Sequence, residues 1–196
     1  MIIDLIRHTT PEVAAGICYG KTDLPLTNSF EAEFESMQKK LMSSYDQIIT
    51  SPLSRCAILA KNLNGKDLNQ DKRIQEVDFG DWEMQAWDAL PRGATQKWMD
   101  NFVVEAPPNG ESLIQMQDRV ADFWGEVKNH HNLSQIAVVT HAGVLRLIHS
   151  FVFDIPLTNI FRLKLNYGSI IRITLTETGE VPVSYTHLTL PTIYSV

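Results

Sequence analysis

Short apolar runs rich in β-branched residues alternate with amphipathic segments along most of the chain. The runs predict buried strands and occupy residues 2–6, 46–50, 135–140 and 169–176. Apolar residues spaced three and four positions apart predict helices between them, at about residues 29–44, 51–63, 112–130 and 143–152. Alternating strands and helices predict an α/β fold, a three-layer sandwich in which helices flank a mainly parallel central sheet.

Three segments lack a clear period. Residues 9–28 are polar and contain glycines and prolines, which predicts a loop over the sheet edge. A short strand is predicted at 72–75. Residues 77–108 hold three of the four tryptophans and are interpreted as a helical insertion that packs over a site.

The end of the chain differs from the rest. Residues 184–196 follow a predicted terminal hairpin, contain no charged residue and resemble translated cloning sequence. We therefore predict a single domain over residues 1–183 and a non-native or disordered tail over 184–196. A native edge strand is the alternative for this tail.

Composition narrows the class of protein. A chain of 196 residues with 44% hydrophobic residues can bury one core. A net charge of −6 argues against nucleic-acid and anionic-membrane partners, which require a basic surface. Cys18 and Cys56 fit neither a zinc spacing nor a disulfide framework. With no targeting signal and no apolar run of about 18 residues, a cytoplasmic protein is predicted; a homodimer is compatible with the sequence.

Candidate chemistry lies where strands end. His8 follows the first predicted strand and His141 follows the strand at 135–140. Ligands of open α/β sheets bind outside the carboxyl ends of the strands, so both histidines can meet one substrate. Ser51 and Pro52 provide a helix-start signal, which puts Arg55 in the first turn, where its charge adds to the positive end of the helix dipole. This arrangement indicates an enzyme that binds an anion.

Three motifs in this order resemble the histidine phosphatase superfamily, in its phosphoglycerate-mutase-like branch. They are Arg7-His8, Ser51-Pro52-Leu53-Ser54-Arg55 and Thr140-His141-Ala142-Gly143, and the resemblance runs from about Ile2 to Thr174. The segments 7–11 and 18–27 look most like the α-ribazole phosphatases of cobalamin assembly. The resemblance implies a phosphoglycerate-mutase-like sandwich that hydrolyses α-ribazole 5′-phosphate through a phosphohistidine, without a cofactor.

The resemblance also implies roles for individual residues. His8 is the expected nucleophile, which must be neutral to attack. Arg7, Arg55 and His141 are the expected phosphate clamp, because a guanidinium can donate two parallel hydrogen bonds to phosphate. Glu76 matches the family's acidic proton donor, although Asp78, Asp81 and Glu83 lie close by in the sequence.

The chain also departs from the family's commonest opening, Arg-His-Gly-Glu followed by an asparagine. Thr9, Thr10 and Ala14 stand at those positions, which argues against a mutase and for simple hydrolysis. A hydroxyl of Thr9 or Thr22 is expected to contact phosphate in compensation. Tyr19, Gly20 and Thr22 are the predicted substrate-binding residues.

The sequence alone leaves several interpretations of function open. A phosphatase of broader range, acting on sugar phosphates or phosphoglycerates, is one alternative, and a phosphate-binding module without turnover is another. The tryptophans of 77–108 suit a core, or a stack against an aromatic benzimidazole. No metal is predicted, because no His-x-Glu-x-x-His or paired-aspartate motif occurs and arginines flank the histidines.

Overall fold

The computed structural model describes residues 1–130, 132–176 and 179–186. The strands are β1 (Ile2–Arg7), β2 (Tyr45–Thr50), β3 (Gly65–Gln70), β4 (Gln135–Thr140), β5 (Ile170–Thr176) and β6 (Gly179–Thr186). The α-helices are α1 (Phe30–Gln38), α2 (Ser54–Lys61), α3 (Arg92–Asn101), α4 (Leu113–Lys128) and α5 (Ala142–Phe153). Short 3₁₀ helices cover Lys72–Ile74, Gly80–Trp82 and Leu157–Arg162.

These strands form one sheet in the order β3-β2-β4-β1-β5-β6. The pairings among β1 to β4 are parallel, and β5 and β6 join as an antiparallel edge. Arg7 lies opposite Thr140 in the register of β1 and β4. The two central strands therefore end side by side, and His8 and His141 follow them at the same edge of the sheet.

Apolar side chains alternate between the two faces of the sheet, because successive residues of a strand point to opposite sides. Leu5 and Val138 pack in a cluster with residues of α4 and α5. Their neighbours Ile6 and Val139 pack in a second cluster with residues of α1 and α2. This arrangement confirms the predicted three-layer α/β sandwich with a mainly parallel sheet.

The structure differs from the predicted elements in four places. The strand β3 was not predicted, because every one of its residues is exposed and leaves no apolar pattern. The segment predicted as a strand at 72–75 is a 3₁₀ turn instead. Helix α1 ends at Gln38, where the N–H groups of the next residues turn back to Met37. Helix α2 begins at Ser54, with Leu53 rather than Ser51 at its N-cap.

The segment 77–108 contains α3 and one 3₁₀ turn, and its aromatic side chains contact one another, mostly edge to face. The contacting rings are those of Phe79, Trp82, Trp87 and Trp98, with centroids 5.6 to 6.3 Å apart. Trp82 is buried, whereas Trp87 is more than one-third exposed. The cluster thus serves as core on one side and as surface on the other.

The predicted tail, residues 184–196, begins within β6. Residues 184–186 continue β6, with Tyr185 opposite Ile171 and Thr186 opposite Ile170. The remaining part of that prediction, residues 187–196, lies outside the described residues. Within the described part of the chain, no helix has the length and apolar character needed to cross a membrane.

Candidate active site

His8 and His141 lie next to each other at the carboxyl end of the sheet. The N–H of His8 donates to the carbonyl of Thr140 at 3.0 Å, which extends the pairing of β1 and β4 by one residue. The two imidazole centroids are 5.2 Å apart in an edge-to-face arrangement. His8 is 2% exposed and His141 is fully buried. The register of the central strands thus creates the histidine pair.

Two arginines flank this pair. The guanidinium carbon of Arg7 lies 3.9 Å from the centre of the Tyr167 ring, and its Nη1 donates to the carbonyl of Leu165 at 2.5 Å. Arg55, in the first turn of α2, is fully buried. Its terminal nitrogens donate to the carbonyls of Thr22 and Gly20 at 2.7 and 2.6 Å. Backbone carbonyls accept from both cations, and among the described residues neither cation is paired with a carboxylate, so their positive charge is not cancelled there.

Three buried polar atoms beside His8 have no hydrogen-bond partner. They are Nε of Arg7, Nε of Arg55 and Oγ1 of Thr9. Leaving a buried donor unpaired costs about 1–3 kcal/mol. Their concentration at one place, together with two uncancelled cations, indicates a binding site for an anion rich in oxygen atoms.

Both histidines are held in the neutral form. Burial lowers the pKa of His8 well below its usual value, and the nearby charges of Arg55 and Arg7 lower it further. Burial likewise lowers the pKa of His141, with additional effects of His8 and the same arginines. Nδ1 of His8 lies 2.7 Å from the carbonyl oxygen of Thr9. Because a carbonyl only accepts, Nδ1 carries the proton and Nε2 keeps its lone pair.

Glu76 reaches the same site from the segment that follows the first 3₁₀ turn. Its carboxylate accepts from the N–H of Gly143 at 3.2 Å and from that of Val77 at 3.1 Å. A Cβ atom at Gly143 would lie 2.2 Å from this carboxylate, so only glycine leaves room for it. Glu76 and His8 line one cavity. The other acids of this stretch, Asp78, Asp81 and Glu83, form hydrogen bonds elsewhere.

The cavity has a volume of about 510 Å³. Arg7, His8 and Glu76 line it together with a mostly apolar and aromatic set of side chains, which includes Phe79, Trp87, Trp98, Phe102 and Phe161. Among the described residues, no cluster of three or more His, Cys, Asp or Glu side chains is arranged to hold a metal ion.

The family model described as histidine phosphatase superfamily (branch 1) matches residues 3–187, nearly the whole chain. The chain belongs to the histidine phosphatase superfamily. This membership agrees with the resemblance carried by the three sequence motifs, and it makes the chain a phosphatase-class enzyme.

Relatives within this superfamily differ in their substrates. The chain is 26% identical over 172 residues to the adenosylcobalamin/alpha-ribazole phosphatase of Salmonella typhimurium, covering 84% of this chain and 85% of that protein. It is 27% identical over 169 residues to phosphoserine phosphatase 1 of Hydrogenobacter thermophilus, covering 80% and 78%. The crystal structure of the alpha-ribazole phosphatase from Shigella flexneri has the same fold, with a TM-score of 0.83, 23% identity and coverage of 92% and 93%.

The predicted site residues of this histidine phosphatase fall into two groups. His8, Arg7, Arg55, His141 and Glu76 converge at the carboxyl end of the sheet, with Thr9 beside them, and Tyr19 lines the cavity. Gly20 and Thr22 lie behind Arg55, which they hold through their carbonyls. The Thr22 hydroxyl donates to Glu83, so the structure does not direct it toward Arg7 and His8.

Sequence reasoning missed three side chains that contact the site. Tyr167 stacks on Arg7, lies 5.6 Å from the His8 ring and shares a 2.6 Å contact between hydroxyl oxygens with Tyr19. Ser51, considered only as a helix cap, places its Oγ 2.8 Å from Nε2 of His141. Arg146, one turn after Gly143 on α5, lines the cavity. Only Ser51 carried a local signal, its place in the motif with Arg55.

The lowered pKa values of the two histidines predict how stability responds to acid. Below pH 6.5 the unfolded chain binds protons at both imidazoles, whereas the folded chain does not until its lower pKa is reached. Stability is therefore lost as pH falls below 6.5. His8→Asn should reduce the slope of unfolding free energy against pH by about 1.4 kcal/mol per pH unit. Urea unfolding at several pH values measures it, and equal slopes in both proteins would contradict the prediction.

Proposed function

We propose that this histidine phosphatase is a phosphomonoesterase that hydrolyses its substrate through a phosphohistidine on His8. The observation that carries the proposal is the state of His8: a neutral imidazole, with its lone pair on Nε2, beside the unpaired Nε atoms of Arg7 and Arg55. A neutral nucleophile beside fixed cations suits attack on a phosphate dianion.

In the first step, Nε2 of His8 forms a bond to phosphorus as the bond between phosphorus and the ester oxygen breaks. Arg7, Arg55 and the neutral His141 stabilise the charge on the non-bridging oxygens. Glu76, in its protonated form, gives its proton to the leaving alkoxide. In the second step, a water molecule attacks phosphorus while Glu76 takes a proton from that water. The bond between phosphorus and Nε2 breaks, which releases phosphate and restores His8.

We propose α-ribazole 5′-phosphate as the substrate. The cavity supports this choice, because aromatic side chains line it together with His8 and Arg7, and they can stack against a benzimidazole ring. The likeness to alpha-ribazole phosphatases supports it as well. On this proposal the protein acts in cobalamin biosynthesis in the cytoplasm, and it needs no metal because arginines supply the positive charge at the phosphate.

One observation favours a second candidate, a phosphatase for esters whose leaving group carries a carboxylate. Nε of Arg146 donates to the carbonyl of Leu163 at 3.1 Å, while the side chain lines the cavity that holds Glu76. A guanidinium in this position can bind the carboxylate of phosphoserine or 3-phosphoglycerate. Phosphoserine phosphatase 1 of Hydrogenobacter thermophilus is among the relatives that fit this candidate.

A substrate panel in the presence of a chelator separates these candidates. We expect kcat/KM to be highest for α-ribazole 5′-phosphate, well above phosphoserine, 3-phosphoglycerate and p-nitrophenyl phosphate. Arg146→Gln should then change ribazole turnover by less than about threefold. Preference for the two acidic esters, lost about tenfold or more in Arg146→Gln, would instead select the second candidate. The exposed Arg162→Gln is the matched control, which should leave all rates unchanged.

Two other outcomes of the same panel are informative. Equal, slow rates on all esters would indicate the broad-range phosphatase. Binding of inorganic phosphate without release of phosphate from any ester would contradict the proposed function and indicate a binding module. Loss of activity in chelator would contradict metal independence alone.

A further inference from the structure

Glu83 binds the backbone of the loop that carries Gly20, Lys21 and Thr22. Its carboxylate accepts from the N–H groups of these three residues at 3.0, 3.0 and 3.2 Å. It also accepts from the Thr22 hydroxyl at 2.5 Å and from the N–H of Phe79 at 3.0 Å. Hydrogen bonds to a carboxylate are among the stronger ones in proteins. One side chain therefore immobilises residues 20–22.

The opposite side of the same loop holds Arg55. The carbonyls of Gly20 and Thr22 accept from its terminal nitrogens at 2.6 and 2.7 Å. The peptide group between Gly20 and Lys21 thus accepts from Arg55 through its oxygen and donates to Glu83 through its nitrogen. Hydrogen bonds in such a chain polarise one another. The negative carboxylate of Glu83 therefore strengthens the hydrogen bonds that the Arg55 guanidinium donates to the loop.

Close packing at Gly20 fixes this arrangement. A Cβ atom there would lie 2.0 Å from the carbonyl oxygen of Val77 and 3.1 Å from Oε1 of Glu83. Glycine is therefore required for the loop to approach both groups.

We propose that Glu83 is a positioning residue that fixes the orientation of Arg55 toward the phosphate by immobilising residues 20–22. The inference rests on the proposed function, in which Arg55 binds the transferring phosphoryl group. Glu83 itself does not line the cavity that holds His8, and acts only through the loop and Arg55. Displacement of a binding group by about 1 Å can reduce turnover about 100-fold.

The first test is Glu83→Gln, which keeps the shape of the side chain but turns an NH₂ group toward backbone N–H donors. We expect kcat/KM for p-nitrophenyl phosphate to fall about 10- to 100-fold, and calorimetry to show weaker binding of inorganic phosphate. Asp88→Asn, an exposed acid of the same segment, is the matched control. Unchanged turnover and phosphate affinity in Glu83→Gln would overturn the proposal.

A double-mutant cycle with Arg55→Lys separates positioning from a general effect on the fold. If Glu83 acts through Arg55, Glu83→Gln should cost less than about threefold in kcat/KM once Arg55 is lysine, because coupled residues are not additive. Full multiplication of the two losses would overturn the inference. If Glu83→Gln fails to fold, Thr22→Val removes one hydroxyl contact to Glu83 and the same cycle applies, with the same two outcomes.

The cycle also distinguishes the failure of this inference from failure of the proposed function. Arg55→Lys should weaken phosphate binding whether or not Glu83 acts through it. Unchanged phosphate affinity in Arg55→Lys would contradict the role of Arg55, and with it the proposed function. Weakened affinity with multiplicative losses would contradict the role of Glu83 alone.

Discussion

Replacing His8 with alanine is expected to reduce phosphate release by at least about 10⁴-fold, the scale of loss when an enzyme's nucleophile is removed. The reason is geometric. His8 holds a neutral imidazole at the cavity, with Nδ1 committed to the Thr9 carbonyl and Nε2 left to attack. The neighbouring imidazole, His141, contacts Ser51 and Cys56 through its own Nε2 and is not free to replace it.

The measurement is initial rates on α-ribazole 5′-phosphate and p-nitrophenyl phosphate, with circular dichroism to show that the variant folds. His130→Ala is the control, because it replaces a histidine near the end of α4, away from the cavity. Its rates should equal those of the wild type. A His8→Ala protein that folds and keeps more than about one hundredth of the activity would refute the assignment of the nucleophile.

Arg172→Ala is expected to lower the free energy of unfolding by about 3 kcal/mol, while leaving the chemistry at His8 unaffected. Asp4 lies in the middle of β1, is fully buried and faces Arg172 across the pairing with β5. The guanidinium donates to both carboxylate oxygens at 2.7 and 2.8 Å, and the Tyr45 hydroxyl donates at 2.7 Å. Removing one partner of a buried pair costs about 3–5 kcal/mol, and partial exposure of Arg172 places the loss at the lower end.

Urea unfolding near pH 7 measures this change. Lys66→Ala, which breaks the exposed ion pair with Asp46, is the matched control and should barely move the midpoint. Equal decreases in the free energy of unfolding in the two variants would show that the buried ion pair stabilises the fold no more than the exposed one. The double substitution Asp4→Leu and Arg172→Met should recover much of the loss, because it leaves no buried charge unpaired.

The apolar pattern of the sequence predicts the strands correctly where the strands are buried. The strands β1, β2, β4 and β5 are apolar because they lie at or near the centre of the sheet, so they were predicted within about a residue. The strand β3 pairs with β2 alone and buries none of its side chains. Hydrogen bonding of its backbone to β2 makes β3 a strand. Its sequence has no alternation of apolar and polar residues that would predict this.

Candidate site residues divide in the same way. His8 and His141 follow strands that pair in register, so their proximity could be predicted from strand ends alone. Tyr167 and Arg146 reach the site from a loop and a helix, and Glu83 contacts residues 20–22 from the insertion. Their contacts depend on how distant segments pack, and a single sequence does not contain that information. The Thr22 hydroxyl illustrates the limit, because the sequence predicted a phosphate contact for Thr9 or Thr22, whereas in the structure the Thr22 hydroxyl donates to Glu83.

Trapping the phosphorylated enzyme tests the central claim most directly. Wild-type protein mixed with p-nitrophenyl phosphate would be quenched in alkali, which preserves phosphohistidine, then digested and analysed by mass spectrometry. The account predicts a phosphoryl group on the peptide that contains His8, none on the peptide that contains His141, and none in His8→Ala. Phosphorylation of His141, or turnover with no phosphoenzyme at any time point, would contradict it.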